Sequence, residues 1–321
     1  MNSDRTYHLD FERPIVELEK KIEELQQQAE EDGIELGNEL RDLENKADRL
    51  RQEIYSKLTP WQRVQISRHP QRPYTLDYTA RIFNDFTELH GDRVAGDDPA
   101  IVAGPARLDG DAVMVVGMQN GRNVEERQFR NFGMPHPQGY RKALRLMRLA
   151  ARRGLPLISL IDTSGAHPGV AAEESGQSEA IARNLFEMSH LPVPVICAVI
   201  GQGASGGALG TAVGDRILMM ENAWYSVIAP ESCSTILFKT RDRKEDAAAA
   251  MKLTAADLKE SGIIDRIVPE PFGGAHRSYD EAAANLKRQV QEALAEVRDL
   301  PPDELIARRL EKFSAMGVWE E

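Results

Sequence analysis

The sequence predicts an α/β fold with a parallel sheet, a helical arm in front of it and helices at the C-terminal end. Two continuous apolar runs, residues 157–162 and 193–200, are typical of strands buried on both faces of a sheet. Segments with helical spacing of apolar residues, 138–153 and 175–190, alternate with these runs. Such alternation implies parallel strands with helices on the outside of the sheet.

The N-terminal part of the chain predicts two helices. Residues 14–58 repeat apolar side chains at heptad spacing, with charged residues between them, and Gly33 and Gly37 interrupt the pattern. Two interpretations are open: an arm that contacts another subunit, or a hairpin packed on its own domain. We assign residues 1–58 to this helical arm.

A proline-containing segment follows the arm. Pro60, Pro70 and Pro73 lie among scattered basic residues, and because proline blocks helix continuation, we expect a linker over residues 59–75. The main domain, with its C-terminal helices, then spans residues 76–321.

The main domain begins with a predicted hairpin. Residues 101–108 and 112–118 have strand character, and Asp109-Gly110 is a favourable turn between them. Gly154 ends the helix at 138–153. The further expected elements are a short helix at 206–213, strands at 216–220, 225–228 and 263–268, a helix at 244–260 and charged amphipathic helices over 277–313.

Composition excludes several classes of protein. The net charge of −11 argues against a general nucleic-acid-binding role, because binding to phosphate backbones needs a basic surface. Two cysteines, Cys197 and Cys233, cannot form a four-cysteine zinc site and suggest no disulfide framework. The polar N-terminus predicts no signal peptide, and the apolar runs are too short to span a membrane. We therefore expect a cytoplasmic protein with no metal of its own.

The glycine-rich segment 201–210 (GQGASGGALG) follows a predicted buried strand and opens a helix, and three mechanisms fit it. The first is dinucleotide binding, because Gly201, Gly203 and Gly206 match G-x-G-x-x-G and Glu221 lies 20 residues after Gly201. The predicted helix, however, ends after barely two turns, which makes this a weak match.

The second mechanism is a nucleophilic serine. Ser205 stands in a G-x-S-x-G motif, which exposes a serine hydroxyl on a sharp turn. Such a serine needs a histidine base and an orienting group. Only His276 follows it in the chain, and nothing connects the upstream His136 or His167 to Ser205.

The third mechanism is an oxyanion hole, and Gly206 and Gly207 fit it best. Consecutive glycines at a helix N-terminus leave backbone N–H groups free and allow a substrate oxygen to approach closely. Such donors stabilise developing negative charge without side-chain chemistry. The alternative is a tight packing turn that needs small residues.

A second loop, residues 162–169 (DTSGAHPG), follows the other buried strand. In an open parallel sheet, ligands bind beyond the C-terminal strand ends, so this loop and the glycine-rich segment are expected to meet. His167 is a candidate base, although a loop histidine is more often only solvated. Asp162 is a candidate acid, with a cap on the loop as the favoured alternative.

At this point the chain resembles the alpha subunit of the acetyl-CoA carboxylase carboxyltransferase along nearly its whole length. Several long segments of unusual composition carry the resemblance: 86–93, 97–102, 131–147, 161–169, 173–184, 199–209 and 269–277.

The resemblance implies a crotonase-like spiral of ββα units and a shared active site. In this family a distinct beta subunit completes an α2β2 assembly, provides most acyl-CoA contacts and carries a zinc ribbon. Carboxybiotin, delivered on the biotin carboxyl carrier protein after loading by biotin carboxylase, gives its carboxylate to acetyl-CoA. The product is malonyl-CoA, the first committed intermediate of fatty acid synthesis.

The resemblance also assigns the site residues. It makes Gly206 and Gly207 the catalytic oxyanion hole on the biotin side, with no side-chain base required. The substrate-binding residues that it implies are Gly165, Ala166, His167, Gly169, Ser205 and Ala208.

The sequence departs from the family pattern at several positions. Ser164 replaces proline and His167 replaces tyrosine in the second loop, while Gln202 and Ala204 stand where glutamate and glycine are commoner. Asn120 stands where lysine often precedes Gly121. These changes bear on the loop contacts and the pH response that the resemblance implies, more than on the reaction class, and the pair of glycines is intact.

Two other functions compete with the carboxyltransferase. A crotonase-like hydratase or isomerase would need a carboxylate base, for which Glu173 and Glu174 are the candidates. A non-catalytic subunit would instead hold a partner through residues 14–58 and would tolerate bulkier residues at Gly206 or Gly207.

Overall fold

The structure, a computed structural model, describes residues 7–32 and 37–317. Its N-terminal part is a hairpin of the helices α1 (Arg13–Asp32) and α2 (Gly37–Ser56), preceded by a 3-10 turn at Asp10–Glu12. The two predicted helices are therefore confirmed. The predicted break falls largely on residues 33–36, which lie outside the described residues.

The base of the hairpin packs on the chain's own main domain. Glu12 is 1% exposed, accepts a hydrogen bond from the Tyr55 hydroxyl at 2.5 Å and lies close to His276. His276 in turn stacks on His69, with ring centroids 3.9 Å apart. At its base, the arm is therefore a hairpin packed on its own domain. That the rest of the arm contacts another subunit stays a prediction.

The segment expected to be a linker contains the helix α3 (Pro60–Ser67). Thr59 and Gln62 form a capping box at its start, and Pro60 occupies the first helical position, where its missing N–H costs nothing. Trp61 and Val64 pack in a small core that includes Trp224. The expectation of a linker is therefore wrong for these residues, while the three domain limits stay a prediction.

One sheet of seven strands forms the centre of the main domain. The strands are β1 (Ile101–Leu108), β2 (Asp111–Met118), β3 (Leu157–Thr163), β4 (Val195–Ala204), β5 (Arg216–Met220), β6 (Trp224–Ser226) and β7 (Arg266–Val268). Their order is β1-β2-β3-β4-β5-β7, with β6 beside β4, and only the β1–β2 pair is antiparallel. The predicted turn is present, since Asp109 and Gly110 both have positive φ, 48° and 94°.

Helices cover the sheet, as the alternating pattern predicts. They are α4 (Thr75–Ile82), α5 (Val124–Phe129), α6 (Pro137–Arg153), α7 (Val170–Glu174), α8 (Gln177–Ser189), α9 (Ser205–Leu209), α10 (Pro230–Phe238), α11 (Lys244–Ala250), α12 (Ala255–Glu260), α13 (Tyr279–Ala295) and α14 (Pro302–Ser314). No helix within residues 7–32 and 37–317 is long and apolar enough to cross a membrane.

Several helices differ from the expected ones, and the short helix expected over 206–213 already ends at Leu209. The single helix expected over 244–260 is two helices. The Leu253 carbonyl accepts a hydrogen bond from the Tyr225 amide, and the Thr254 side chain caps the start of α12 by accepting from the Asp257 amide. Helix α10 was not expected at all, although Pro230 stands at its start, where proline is favourable.

The last helix, α14, is held by one buried arginine. Arg309 makes two hydrogen bonds to the carboxylate of Asp215, at 2.8 and 2.9 Å. It also donates to the backbone carbonyls of Met188, Leu191 and Val193. Because both charges are buried and paired, this network anchors the C-terminal helix to the edge of the sheet.

The register of two parallel strands places the site. Residues of β3 pair with β4 from Leu157↔Val195 onward, and after a register shift the pairing ends at Thr163↔Gly203. Because parallel strands end at the same edge of the sheet, the loop after β3 and the turn after β4 lie side by side.

Candidate active site

The turn after β4 offers unpartnered backbone donors. Helix α9 contains only Ser205–Leu209, and its N-cap residue, Ala204, has no side chain that could cap it. The N–H groups of a first helical turn have no partner within the helix. The amides of Gly206 and Gly207, at the second and third positions of α9, are therefore available donors at the positive end of the helix dipole.

The two central glycines differ in their surroundings. A Cβ on Gly207 would stand 2.3 Å from the backbone nitrogen of Ala166, so this glycine allows the loop after β3 to pack against the turn. A Cβ on Gly206 would meet no atom closer than the Ile181 side chain at 3.9 Å. Close packing therefore requires a glycine at position 207, whereas a side chain at position 206 would make only an ordinary van der Waals contact with Ile181.

The loop after β3 is fixed by its own hydrogen bonds. The Thr163 hydroxyl donates to the carbonyl of Gly133 at 2.6 Å and accepts from the Gly165 amide at 3.1 Å. Gly165 has φ 143°, a conformation that favours glycine. Gly165 and Ala166 are thereby held against Gly207.

His167 has a structural role at the edge of this loop. Its ring stacks on His136, with centroids 3.9 Å apart and planes 21° apart. Its Nδ1 accepts a hydrogen bond from the Gly169 amide at 3.1 Å, and its own amide donates to the carbonyl of Pro135. Burial and the neighbouring His167 lower the pKa of His136. The imidazole of His167 therefore orders the loop through Gly169.

Asp162 connects the two strands that carry the site. One carboxylate oxygen accepts the Gln202 amide at 2.8 Å, and Gly201 leaves room for the carboxylate. Burial raises the pKa of Asp162 to about 6, while this hydrogen bond and Arg72 act in the opposite direction. The carboxylate caps the backbone of β4, not that of its own loop.

The rival interpretations of the glycine-rich segment find less support. Gly201 and Gly203 lie inside β4 and pack against Asp162 and Tyr225, so they do not form a phosphate-binding loop. Ser205 has the positive φ of a strained turn, 60°, but the described part of the chain shows no hydrogen bond from it to a histidine. Glu173, the candidate hydratase base, is exposed on α7 together with Glu174.

A cavity of about 640 Å³ opens beside the turn. Ser205 and Leu209 border it, and the apolar side chains of Tyr225, Met251 and Phe313 form much of its lining. Phe313 comes from the C-terminal helix α14, so the sequence pattern alone did not connect it with the site. The cavity can take an apolar or ring-shaped group beside Ser205 and Leu209 of α9.

Sequence analysis also missed two buried polar residues behind the turn, Tyr140 and Asn184. The Tyr140 hydroxyl donates to the Gly207 carbonyl at 3.0 Å, and the Asn184 side chain donates to the Gly210 carbonyl at 2.9 Å. Their only sequence signal is a polar group on a helix face that is otherwise apolar.

Metal ligands are not clustered in the described residues. Over 7–32 and 37–317 there is no group of three or more His, Cys, Asp or Glu side chains that could hold a metal ion. Cys197 and Cys233 are both free, and Cys197 is buried. That the chain needs no metal stays a prediction.

Solved structures establish the fold of the chain. The fold resembles a transcarboxylase 12S structure with methylmalonyl-coenzyme A bound, with a TM-score of 0.57 and 20% identity over 78% of this chain; this chain spans 43% of that chain. It also resembles the beta subunit of geranyl-CoA carboxylase from P. aeruginosa, with a TM-score of 0.53, 18% identity and coverage of 82% and 47%. The chain therefore has the crotonase-like fold, as predicted.

Sequence comparison gives the particular family. The model of the acetyl co-enzyme A carboxylase carboxyltransferase-like family matches residues 8–317. The acetyl-coenzyme A carboxylase carboxyl transferase subunit alpha of Methylococcus capsulatus is 56% identical over 313 residues, which cover 98% of each chain. The chain belongs to the family of acetyl-CoA carboxylase carboxyltransferase alpha subunits, which confirms the resemblance found in its motifs.

Proposed function

We propose that this chain supplies the biotin-side oxyanion hole of an acetyl-CoA carboxylase carboxyltransferase, with the amides of Gly206 and Gly207 as donors. One observation carries the proposal. The uncapped first turn of α9 packs against Gly165 and Ala166 at Gly207, while a Cβ on Gly206 would meet no atom closer than 3.9 Å.

These residues fit a biotin group that a carrier protein brings in. Gly206 allows an oxygen to approach the backbone, and the adjacent cavity can accept a small ring system and its aliphatic chain. Carboxylated biotin, when bound, supplies the carboxylate to be transferred and a ureido oxygen on which negative charge develops.

The chain's own contribution is electrostatic. The amides of Gly206 and Gly207 donate to the developing negative charge, and the fixed turn needs no reorganisation to do so. Gly165, Ala166 and Gly169 shape the loop behind the turn, and His167 orders that loop by accepting from the Gly169 amide. Ser205 borders the cavity, and Ala208, which is fully buried, packs behind the two donors. No histidine or glutamate of this chain is required as a base.

The acyl side of the reaction belongs to a partner in this proposal. A beta subunit, in an α2β2 assembly, holds acetyl-CoA and the negative charge that develops on its thioester. The biotin carboxyl carrier protein and biotin carboxylase complete the enzyme in the cytoplasm. The isolated chain is then inactive, since it contains one of the two oxyanion holes.

The test is the reverse reaction, malonyl-CoA-dependent carboxylation of free biotin. The chain alone, the beta subunit alone and their mixture are assayed side by side. Activity in the mixture only is the expected result. Activity of this chain alone would overturn the proposal that it supplies only one of the two oxyanion holes. Association of the subunits without any activity would favour the non-catalytic function.

A further inference from the structure

The one-turn helix α9 is held in place by a tyrosine from another helix. Tyr140 lies on α6 with none of its side chain exposed, 67 residues before Gly207 in the chain. Its hydroxyl donates to the Gly207 carbonyl oxygen at 3.0 Å. Burial raises the pKa of Tyr140, so the hydroxyl keeps its proton and remains a donor.

This hydrogen bond replaces one that the short helix cannot make. In a longer helix the Thr211 amide would donate to Gly207, but here it donates to the Ala208 carbonyl at 3.2 Å. The Tyr140 hydroxyl is therefore the partner that the described residues offer to the Gly207 carbonyl. Without it a buried carbonyl would lose its donor, and the turn would shift to find another.

The ring of Tyr140 fixes the far end of the same turn. A Cβ on Gly210 would lie 2.7 Å from the Tyr140 ring, so helix and ring are in direct contact at this glycine. The Asn184 side chain donates both to the Tyr140 backbone carbonyl, at 3.1 Å, and to the Gly210 carbonyl, at 2.9 Å. Helices α6, α8 and α9 are thus connected by two buried side chains.

We propose that Tyr140 is a positioning residue, which aims the amides of the α9 turn through its hydrogen bond to Gly207. The proposal rests on the proposed function, because the amides matter only if they meet developing charge. The turn is held at Gly207 by Tyr140 on one side and by Ala166 on the other, while Gly206 has no such close neighbour. A donor gains its effect from being fixed in advance, and Tyr140 provides that fixation.

The test variant is Tyr140→Phe in the complex with the beta subunit, because phenylalanine keeps the ring against Gly210 and removes only the hydroxyl. We expect kcat of biotin carboxylation to fall about tenfold while KM for biotin and malonyl-CoA stays within about twofold. Hydrogen exchange of the amides of residues 205–210 should become faster. A purely structural role would lower the melting temperature but leave kcat of the folded complex unchanged.

Tyr279→Phe is the matched control. The Tyr279 hydroxyl also donates to a backbone carbonyl, that of Gln71 at 2.5 Å, but at a distant surface position. The Tyr279→Phe variant should change neither kcat nor the hydrogen exchange of the amides of residues 205–210. Wild-type kcat in Tyr140→Phe, or unchanged exchange at the turn, would overturn the inference. An inactive wild-type complex would instead refute the proposed function, so the two failures are distinguishable.

Discussion

Ala166 lies directly behind Gly207. A Cβ at Gly207 would stand 2.3 Å from the Ala166 nitrogen and 2.4 Å from the Gly165 carbonyl carbon, which no side chain could tolerate. The neighbouring Gly206 has no such contact. Gly207 is therefore required for packing, whereas Gly206 is not. Alanine substitutions at the two positions distinguish an effect on stability from an effect on activity.

Gly206→Ala should keep the fold and lose activity. The new methyl group meets nothing nearer than Ile181 at 3.9 Å. Under the proposed function it hinders the approach of a substrate oxygen to the amides. We expect an almost unchanged melting temperature and a loss in kcat of about 100-fold, the size of losing one oxyanion donor. Thermal unfolding and the biotin carboxylation assay measure the two effects on the same preparation.

Gly207→Ala is the contrasting variant. Its methyl group must displace the backbone of the 163–169 loop, so we expect a loss of about 1–3 kcal/mol in the free energy of unfolding as well as lost activity. If Gly206→Ala kept full activity, the amides of this turn would not contact the reacting group. Equal destabilisation of both variants would contradict the packing difference.

Asp162 should make stability depend on pH. Burial raises its pKa from 3.8 to about 6, so between these values the folded state binds more protons than the unfolded state. The contribution of this carboxyl to stability therefore falls as the pH rises through that window and is constant above it. A shift of about two pH units corresponds to about 3 kcal/mol, which Asp162→Asn should remove.

Urea unfolding between about pH 4 and pH 7 measures this dependence. The free energy of unfolding of Asp162→Asn, relative to wild type, should increase across the window. Asp280→Asn is the control, because the Asp280 side chain is 91% exposed and should give a curve parallel to that of wild type. A parallel curve for Asp162→Asn would mean that the carboxyl is not protonated on folding.

Arg309→Met should destabilise the chain strongly. It removes the partner of a buried carboxylate, Asp215, and three donors to backbone carbonyls. Removing one partner of a buried ion pair leaves an unpaired buried charge, which lowers the free energy of unfolding by about 3–5 kcal/mol. Arg308→Met tests the same chemical change at the next residue, where the side chain is 59% exposed and pairs with Glu304, so its cost should be below about 1 kcal/mol. Denaturant unfolding compares the two, and similar losses would show that Arg309 is not an anchor.

Local signals predicted most of the sheet. The strand over 216–220 and the hairpin turn at Asp109-Gly110 agree with the structure, because an apolar run and a turn dipeptide act over a few residues. The expectation of a linker failed at residues 60–67, where proline was taken as a helix breaker. At Pro60 it begins a helix, and the capping pair Thr59 and Gln62 was the overlooked signal.

The candidate site was predictable in part for the same reason. Gly206 and Gly207 are visible as a glycine pair between a buried strand and a helix. Tyr140 was not visible, because its role depends on a contact with Gly207 across 67 residues, and within α6 it looks like an ordinary core position. Long-range contacts of this kind carry no periodic pattern.

The pairing of Thr163 with Gly203 also sets an order of events during synthesis. The wall of the site and its amide donors come from stretches of chain about 40 residues apart, as the bond between Asp162 and Gln202 illustrates. A growing chain that has released β3 but not β4 has the wall and lacks the donors. The turn can therefore form only after both β3 and β4 have been synthesised, whereas β5, β6 and β7 join the sheet from later parts of the chain.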